Sequence, residues 1–181
     1  MSPTLSEATR QHLRRISAFY DHAPTQSTWG ARCYRSLLAH YYNLLIPADA
    51  RILEIGCGSG ELLALLRAGH KTGIDLSARQ IEAARHRLPD ATLVVQAGEE
   101  LALEGTFDVI IISDTLNLAA DVQRLLERLH RISHPGTRLI LNFQNSLWRP
   151  LLTLARLLGF KAAQPQNSWL ASADILNLLE L

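Results

Sequence analysis

RILEIGCGSGELLALL, residues Arg51 to Leu66, reads as a short apolar strand, a glycine-rich turn and a helix. Gly56, Gly58 and Gly60 fall at alternate positions, with Glu54 two residues before the first. Glycine reaches positive φ and carries no Cβ, so a turn built this way lets a bulky ligand lie directly on the backbone. The helix that follows directs its unsatisfied N–H groups at the same spot, which suits a negatively charged or carboxylate-bearing ligand. The element is a nucleotide-like cofactor cradle at the mouth of an α/β sheet.

Outward from this stretch, strand and helix patterns alternate. Strands are expected at Arg51 to Ile55, Lys71 to Asp75, Thr92 to Val95, Phe107 to Ser113 and Arg138 to Phe143. The run VIII at 109–112 lacks polar alternation, as a strand covered on both faces does. Helices are expected at Glu61 to Ala68, Ala78 to Arg87 and Val122 to Ile132. Ser77 with Gln80 forms a capping box for the second, and Asp121 caps the third. The βαβ alternation implies a doubly wound parallel sheet. Before it, Leu5 to Tyr20 reads as a helix with Leu13, Ile16, Phe19 and Tyr20 on one face, and a second helix runs from Trp29 to Leu45. Pro24 separates these two, Pro47 ends the second, and together they form an N-terminal helical cap.

The cradle is not a dinucleotide fingerprint. That pattern closes on a third glycine or an alanine so that helix and strand pack closely. Counted from Gly56, the third position is Glu61. The spacing is instead E-x-G-x-G-x-G, Glu54 to Gly60, and it resembles the first motif of class I S-adenosylmethionine-dependent methyltransferases. The resemblance implies a Rossmann-like fold, S-adenosyl-L-methionine as cofactor, and contacts to its methionine half from Glu54, Gly56, Cys57, Gly58 and Gly60. Asp75, ending the second strand in KTGIDLS, is expected to accept hydrogen bonds from the ribose hydroxyls, and Leu76 to offer apolar surface to the adenine. Gly98 and Glu99 follow the third strand at the adenine edge. The family pattern there is D-A-E-E-L, and Ala97 stands at the aspartate position, a departure that bears on cofactor affinity. Ser113 ends the fourth strand, whose edge, as the resemblance implies, faces the methionine moiety and the acceptor.

Further runs, DVQRLLERLHRISHPGTRLIL, NSLWRPLLTLARLLGF and NSWLASADILNLLEL, resemble one bacterial methyltransferase subgroup whose longer members carry a family 2 glycosyltransferase domain. This implies a small-molecule or glycan-related acceptor and a glycosyltransferase as partner by analogy. The expected organisation is one domain: a cap over 1–47, the cofactor-binding sheet core over 48–145, and a lid and C-terminal helix over 146–181. Methyltransferases of this class add an antiparallel pair of strands after such a helix. None follows ADILNLLEL, so the chain is expected to lack them, either as a truncated fragment or as a short natural chain.

Composition sets the remaining bounds. The chain has 181 residues, 48% hydrophobic and 19% charged, which is enough for a sizeable core, and its net charge of +1 gives no electrostatic signature of nucleic-acid binding. Cys33 and Cys57 make no disulfide framework, the N-terminus has no apolar signal core, and the apolar stretch Trp148 to Phe160 is too interrupted to span a bilayer. The expected location is cytoplasmic.

Methyl transfer needs no advertised catalytic residue, because the cofactor supplies most of the reactivity. Asp114 is the candidate to orient or deprotonate an acceptor, with a turn or capping role as its alternative. Tyr20 and His22 are candidates to close over the cofactor from the cap, against simple packing and exposure. Asn142, Gln144 and Asn145 follow the fifth strand toward the acceptor, while Trp148, Trp169 and LLTLARLLGF offer an apolar lid or plain packing. NFQN does not match the N-P-P-Y signature of amino-group methylation on adenine or glutamine. His130 and His134 are spaced i,i+4 with no third ligand, so no metal site is expected. Two rival functions stand beside the methyltransferase: a non-catalytic module of the same fold serving assembly or regulation, and a nicotinamide oxidoreductase, which Glu61 and the lack of a Tyr-x-x-x-Lys pair disfavour.

Overall fold

The computed structural model describes residues 5–143 and Asn177. Five parallel strands, β1 (Arg51–Ile55), β2 (His70–Asp75), β3 (Thr92–Val95), β4 (Val109–Ser113) and β5 (Arg138–Asn142), form one sheet in the order β3-β2-β1-β4-β5. Helices α1 (Glu7–His22) and α2 (Trp29–Leu45) precede the sheet, and α3 (Glu61–Leu65), α4 (Ala78–Arg87) and α5 (Val122–Arg131) lie between strands. Short 3₁₀ turns cover Gly98–Glu100 and Leu116–Leu118. This is the expected doubly wound α/β sheet behind a helical cap, in a Rossmann-like arrangement.

Strand alternation divides the core in two. Ile52, Val109 and Ile111 face α2, α3 and α4, where they pack with Ala39, Tyr42, Leu63 and Ile81. Leu53, Ile110 and Ile112 face the opposite layer with Leu125 and Leu129 of α5. Both faces of β1 and β4 are dry, so their continuous apolar runs are required by burial rather than by alternation.

The boundaries differ from expectation where side chains outside the periodic pattern act. Helix α1 runs two residues later than expected at each end, because Ser6 accepts from the Thr9 N–H at 3.1 Å and caps the start. Helix α3 stops at Leu65 rather than Ala68. Asn43 of α2 donates to the Leu65 carbonyl at 3.0 Å and accepts from the Arg67 N–H at 2.7 Å, replacing the bonds of a further turn. Strand β4 begins at Val109, two residues after the expected Phe107, and β5 ends at Asn142. Only half of the capping box forms. Ser77 accepts from the Gln80 N–H at 3.2 Å, but the Gln80 amide reaches the Tyr20 and Ala23 carbonyls at the end of α1. Asp121 caps α5 as expected, accepting from Arg124 N–H at 2.9 Å. The expected lid over 146–181, with Trp148, Trp169 and, apart from Asn177, ADILNLLEL, and also Gln144 and Asn145, lies outside the described residues, as does the expected lack of further antiparallel strands.

Candidate functional site

The carboxyl ends of all five strands meet at one cavity of about 790 Å³. This is where an open parallel sheet binds ligands, beside the point where strand order reverses between β1 and β4. The loop after β1 is fixed from below: the Gly56 and Cys57 N–H groups both donate to the Ile74 carbonyl, at 2.8 and 3.0 Å. Gly56, Gly58 and Gly60 have φ of 73°, 51° and 74°. At Gly58 nothing lies within 4 Å of where a Cβ would stand, so that position opens into space. Asp75 is clamped at the end of β2, its two oxygens accepting from the Gly58 and Ser77 N–H groups at 2.8 Å each. Burial raises its pKa, and these two backbone bonds work against the rise.

Glu54 is buried on β1 and lines the cavity, and its Oε2 has no hydrogen-bond partner among the described residues. Desolvation pushes its pKa up to about 8, opposed by the Arg35 guanidinium and reinforced by Asp75. Four carboxyl groups, Glu54, Asp75, Glu99 and Asp114, line the cavity against one guanidinium, Arg35. Such a lining favours a ligand with positive charge.

The sequence-derived set comes together with three exceptions, Cys57, Gly60 and His22. Tyr20, Glu54, Gly56, Gly58, Asp75, Leu76, Gly98, Glu99, Ser113 and Asp114 all line the cavity. Cys57 does not. Its side chain is buried in the core with Sγ against Gly73, and burial pushes its thiol pKa up. Gly60 also stands outside the lining, because its bare Cα packs on Ala84 and Leu88. Glu99 Oε1 accepts from the Ala120 N–H at 2.8 Å. Ala97 is buried with Leu5 and Leu13 of the cap, so the family's aspartate position here holds the cap on the sheet. His22 stays off the lining with Nδ1 at 2.8 Å from the Ala18 carbonyl, and His134 lies beyond α5 with Nε2 at 3.2 Å from Asp108.

Asp114 has φ of 56°, the one positive value at a non-glycine among the described residues. It is exposed at the cavity mouth, where the Tyr34 hydroxyl donates to its Oδ1 at 3.3 Å and the Asn142 amide donates to that hydroxyl at 2.7 Å. Tyr42 places its hydroxyl 3.5 Å from Ser113 Oγ. Burial raises the pKa of Tyr20, Tyr34 and Tyr42 alike. Tyr34, Arg35 and Gln80 were not read as lining residues from sequence. For Arg35 a signal exists: it falls on the inward face of α2 with Leu38, Ala39 and Tyr42, where a charge needs a reason to be.

The cap roofs this cavity through Leu13, Ile16 and Tyr20. It is tied down by Ser17 Oγ donating to the Leu76 carbonyl at 3.1 Å and Ser77 Oγ donating to Asp21 Oδ1 at 2.6 Å.

Residues 53–141 match the family described as a methyltransferase domain. Over this segment, just under half of the chain, the sequence is similar to a methyltransferase domain. The chain is 35% identical over 109 residues to the ubiquinone biosynthesis O-methyltransferase of Xanthomonas axonopodis pv. citri, covering 56% of the chain and 46% of that protein. It is 27% identical over 154 residues to the malonyl-[acyl-carrier protein] O-methyltransferase of Priestia megaterium, covering 81% of the chain and 54% of the relative. The chain therefore spans about half the length of these curated relatives. Among solved structures, magnesium protoporphyrin IX methyltransferase from Synechocystis, with bound SAH, superposes with a TM-score of 0.64 at 20% identity, over 96% of this chain and 83% of that one. At that identity the likeness is one of fold. No helix among the described residues is long and apolar enough to cross a membrane.

Proposed function

We propose that the chain is an S-adenosylmethionine-dependent methyltransferase that delivers its methyl group to an oxygen of a small-molecule acceptor. One observation carries the reading: a buried carboxyl oxygen without a partner, Glu54 Oε2, lines the same cavity as the open space over Gly58. The first suits the ammonium of an amino-acid tail, and the second suits a tail lying on bare main chain.

On this reading Glu54, Gly56 and Gly58 hold the methionine half, Asp75 takes the ribose hydroxyls, Leu76 supports the adenine, and Gly98 with Glu99 bounds its edge. Tyr20 closes over the cofactor from α1, and Ser113 stands toward the acceptor. When bound, the cofactor supplies a sulfonium methyl open to in-line displacement. The roof of Leu13, Ile16 and Tyr20 excludes water, and the strand ends hold the two reactants in line. Asp114 is the group placed to accept a hydroxyl proton or to orient that hydroxyl, with Tyr34 fixing its carboxylate.

The choice of oxygen draws on the names of the two curated relatives, both O-methyltransferases. A glycan-related acceptor and a glycosyltransferase partner rest on the subgroup resemblance alone. The unit proposed is one methyltransferase domain, with residues 1–47 as cap, 48–145 as core and 146–181 as lid and terminal helix. Isothermal titration tests the cofactor assignment. Saturable uptake of S-adenosylhomocysteine without uptake of NAD is expected, and a flat S-adenosylhomocysteine titration overturns the reading.

A further inference from the structure

Six of the nine large apolar side chains exposed among the described residues lie on α2. Trp29 is 75% exposed, Leu44 72%, Tyr41 57% and Leu37 54%, with Leu45 and Tyr34 beside them. Ala39 and Tyr42 already bury the inward face against the sheet, so α2 is apolar on two opposite sides. A helix apolar all round is normally covered all round. At 100° per residue, Trp29, Gly30, Cys33, Leu37, Tyr41 and Leu44 form one continuous strip without an Asp, Glu, Lys or Arg. Only His40 interrupts its apolar character. Arg32 is the one exposed ionic side chain on the helix, about 140° around from Leu37.

We propose that this strip is the two-fold interface of a homodimer in which two copies of α2 pack antiparallel about Leu37. The inference does not depend on the cofactor assignment. Three observations select a second copy as the occupant. The first is area. Counted with Tyr34 and Leu45 at its border, the large apolar side chains of the strip expose on the order of 700 Å², close to the ~800 Å² that each partner gives to a standard interface, and more than the largest patch of a typical monomer.

The second is self-complementarity, which an isologous contact requires. Antiparallel packing about Leu37 sets Gly30 opposite the partner's Leu44 and Cys33 opposite the partner's Tyr41. Each small residue thereby receives a large one. Gly30 has nothing within 4 Å of its Cβ position, so it offers a notch for the partner's Leu44. The third is charge. An interfacial membrane helix carries Lys and Arg along its polar face. Here α2 has only Arg32 and Arg35, and Arg35 is held by Glu61 at 2.8 Å. An uncharged strip facing its own copy meets no like-charge repulsion. Tyr34 borders the strip with its hydroxyl on Asp114, so the partner stands beside the acceptor end of the cavity.

The test uses the full chain. Sedimentation velocity across about 1–100 μM is expected to show a dimer, and Leu37→Glu is expected to raise its dissociation constant at least about 100-fold, because each copy then buries a carboxylate. Leu37 is exposed, so circular dichroism of the variant should be unchanged. Cys33 is exposed and Cys57 buried, which makes a second readout clean. Tyr41→Cys should give a disulfide-linked dimer on mild oxidation, and adding Cys33→Ser should abolish it. The proposal is overturned by a wild-type monomer throughout, as expected if residues 144–181 cover the strip. A dimer indifferent to Leu37→Glu with no Cys33 cross-link, or binding to phosphatidylglycerol vesicles by a monomer, overturns it equally.

Discussion

Gly58 lies in the cradle loop and Gly73 on β2 against that loop's Cys57, and the space around each assigns it different work. Gly58 opens into the cavity at φ 51°, whereas a Cβ on Gly73 would meet Cys57 Sγ at 2.8 Å and Leu93 at 3.0 Å. Gly58→Ala should therefore weaken S-adenosylhomocysteine binding about tenfold or more while removing about 1–2 kcal/mol of stability through its positive φ. Gly73→Ala should lower stability by about 1–3 kcal/mol through overpacking and leave the residual folded protein able to bind. Titration and urea unfolding of the two variants side by side decide this, and similar binding losses in both would refute the division. Glu54 gives a pH signature. Its pKa rises from 4.5 to about 8 on folding, because the carboxyl is desolvated. Below pH 4.5 both states hold the proton. Between there and pH 8 the unfolded carboxyl ionises while the folded one does not, so stability falls with rising pH by up to about 1.4 kcal/mol per unit. Glu54→Gln should abolish that slope and be the more stable protein at pH 8, though a poorer binder. Parallel urea curves for both proteins from pH 5 to 8 would disprove the assignment. Glu54 and Asp75 were readable because each sits at a set distance from a glycine turn or a strand end. Tyr34 was not, since its role depends on a contact 80 residues away.

At the scale of elements, what was readable was periodicity, and what was missed was side chains that leave it. The span of α2, read between Pro24 and Pro47, and that of α4, read from its Ser77 cap, both match. The length of α3 does not follow from its own residues, because Asn43 on another helix ends it. Glu61 shows the same limit. Its bulk excluded a dinucleotide fingerprint, but its partners were not visible in sequence. Its carboxylate accepts from the Ser27 N–H at 3.1 Å, meets Arg35 at 2.8 Å and Arg87 at 3.8 Å, while Arg87 also donates to the Ser59 carbonyl. Burial works against its ionisation, but the Ser27 bonds and the two guanidinium groups hold its pKa below the usual range. One residue thus latches the start of α2 and the end of α4 to the cradle. Glu61→Ala should leave two partly buried arginines without their carboxylate, at about 1–3 kcal/mol. Hydrogen exchange should quicken across Ser27 to Arg35 and the 56–60 loop while β1 and β4 stay protected. Acceleration spread evenly over the sheet would count against a local latch.

At the scale of the whole molecule, the described residues form a sheet packed on both faces under a separately anchored roof, and the two parts should fail differently. The sheet is held by layers on both faces, with Ile111 of β4 fully buried against α2, α3 and α4. The roof rests on a much smaller cluster, Leu5 and Leu13 on Ala97, supplemented by the polar ties to Leu76 and Ser77. Ile111→Ala removes a side chain from the dense core and should lower stability by about 3–4 kcal/mol, a Tm shift of roughly 6–16 °C for a domain of this size. The strand ends that line the cavity keep their hydrogen bonds, so affinity for S-adenosylhomocysteine in the folded protein should change less than about threefold. Leu13→Ala removes a side chain that is 7% exposed, lines the cavity and packs in the small cluster of Leu5 and Ala97, with Leu76 and Ala120 against it. Its cost should be smaller, about 1–2 kcal/mol, because a roof at the edge relaxes into the space it loses. Its effect on binding should be larger. A loosened α1 admits water over the cavity and shortens ligand residence, so the dissociation rate should rise about tenfold or more. Differential scanning fluorimetry with surface-plasmon kinetics separates the variants: large Tm loss with near-normal dissociation for Ile111→Ala, the reverse for Leu13→Ala. If the two quantities fall together in both variants, the roof and the sheet are one cooperative unit, and ligand access is governed by global opening instead of by the cap.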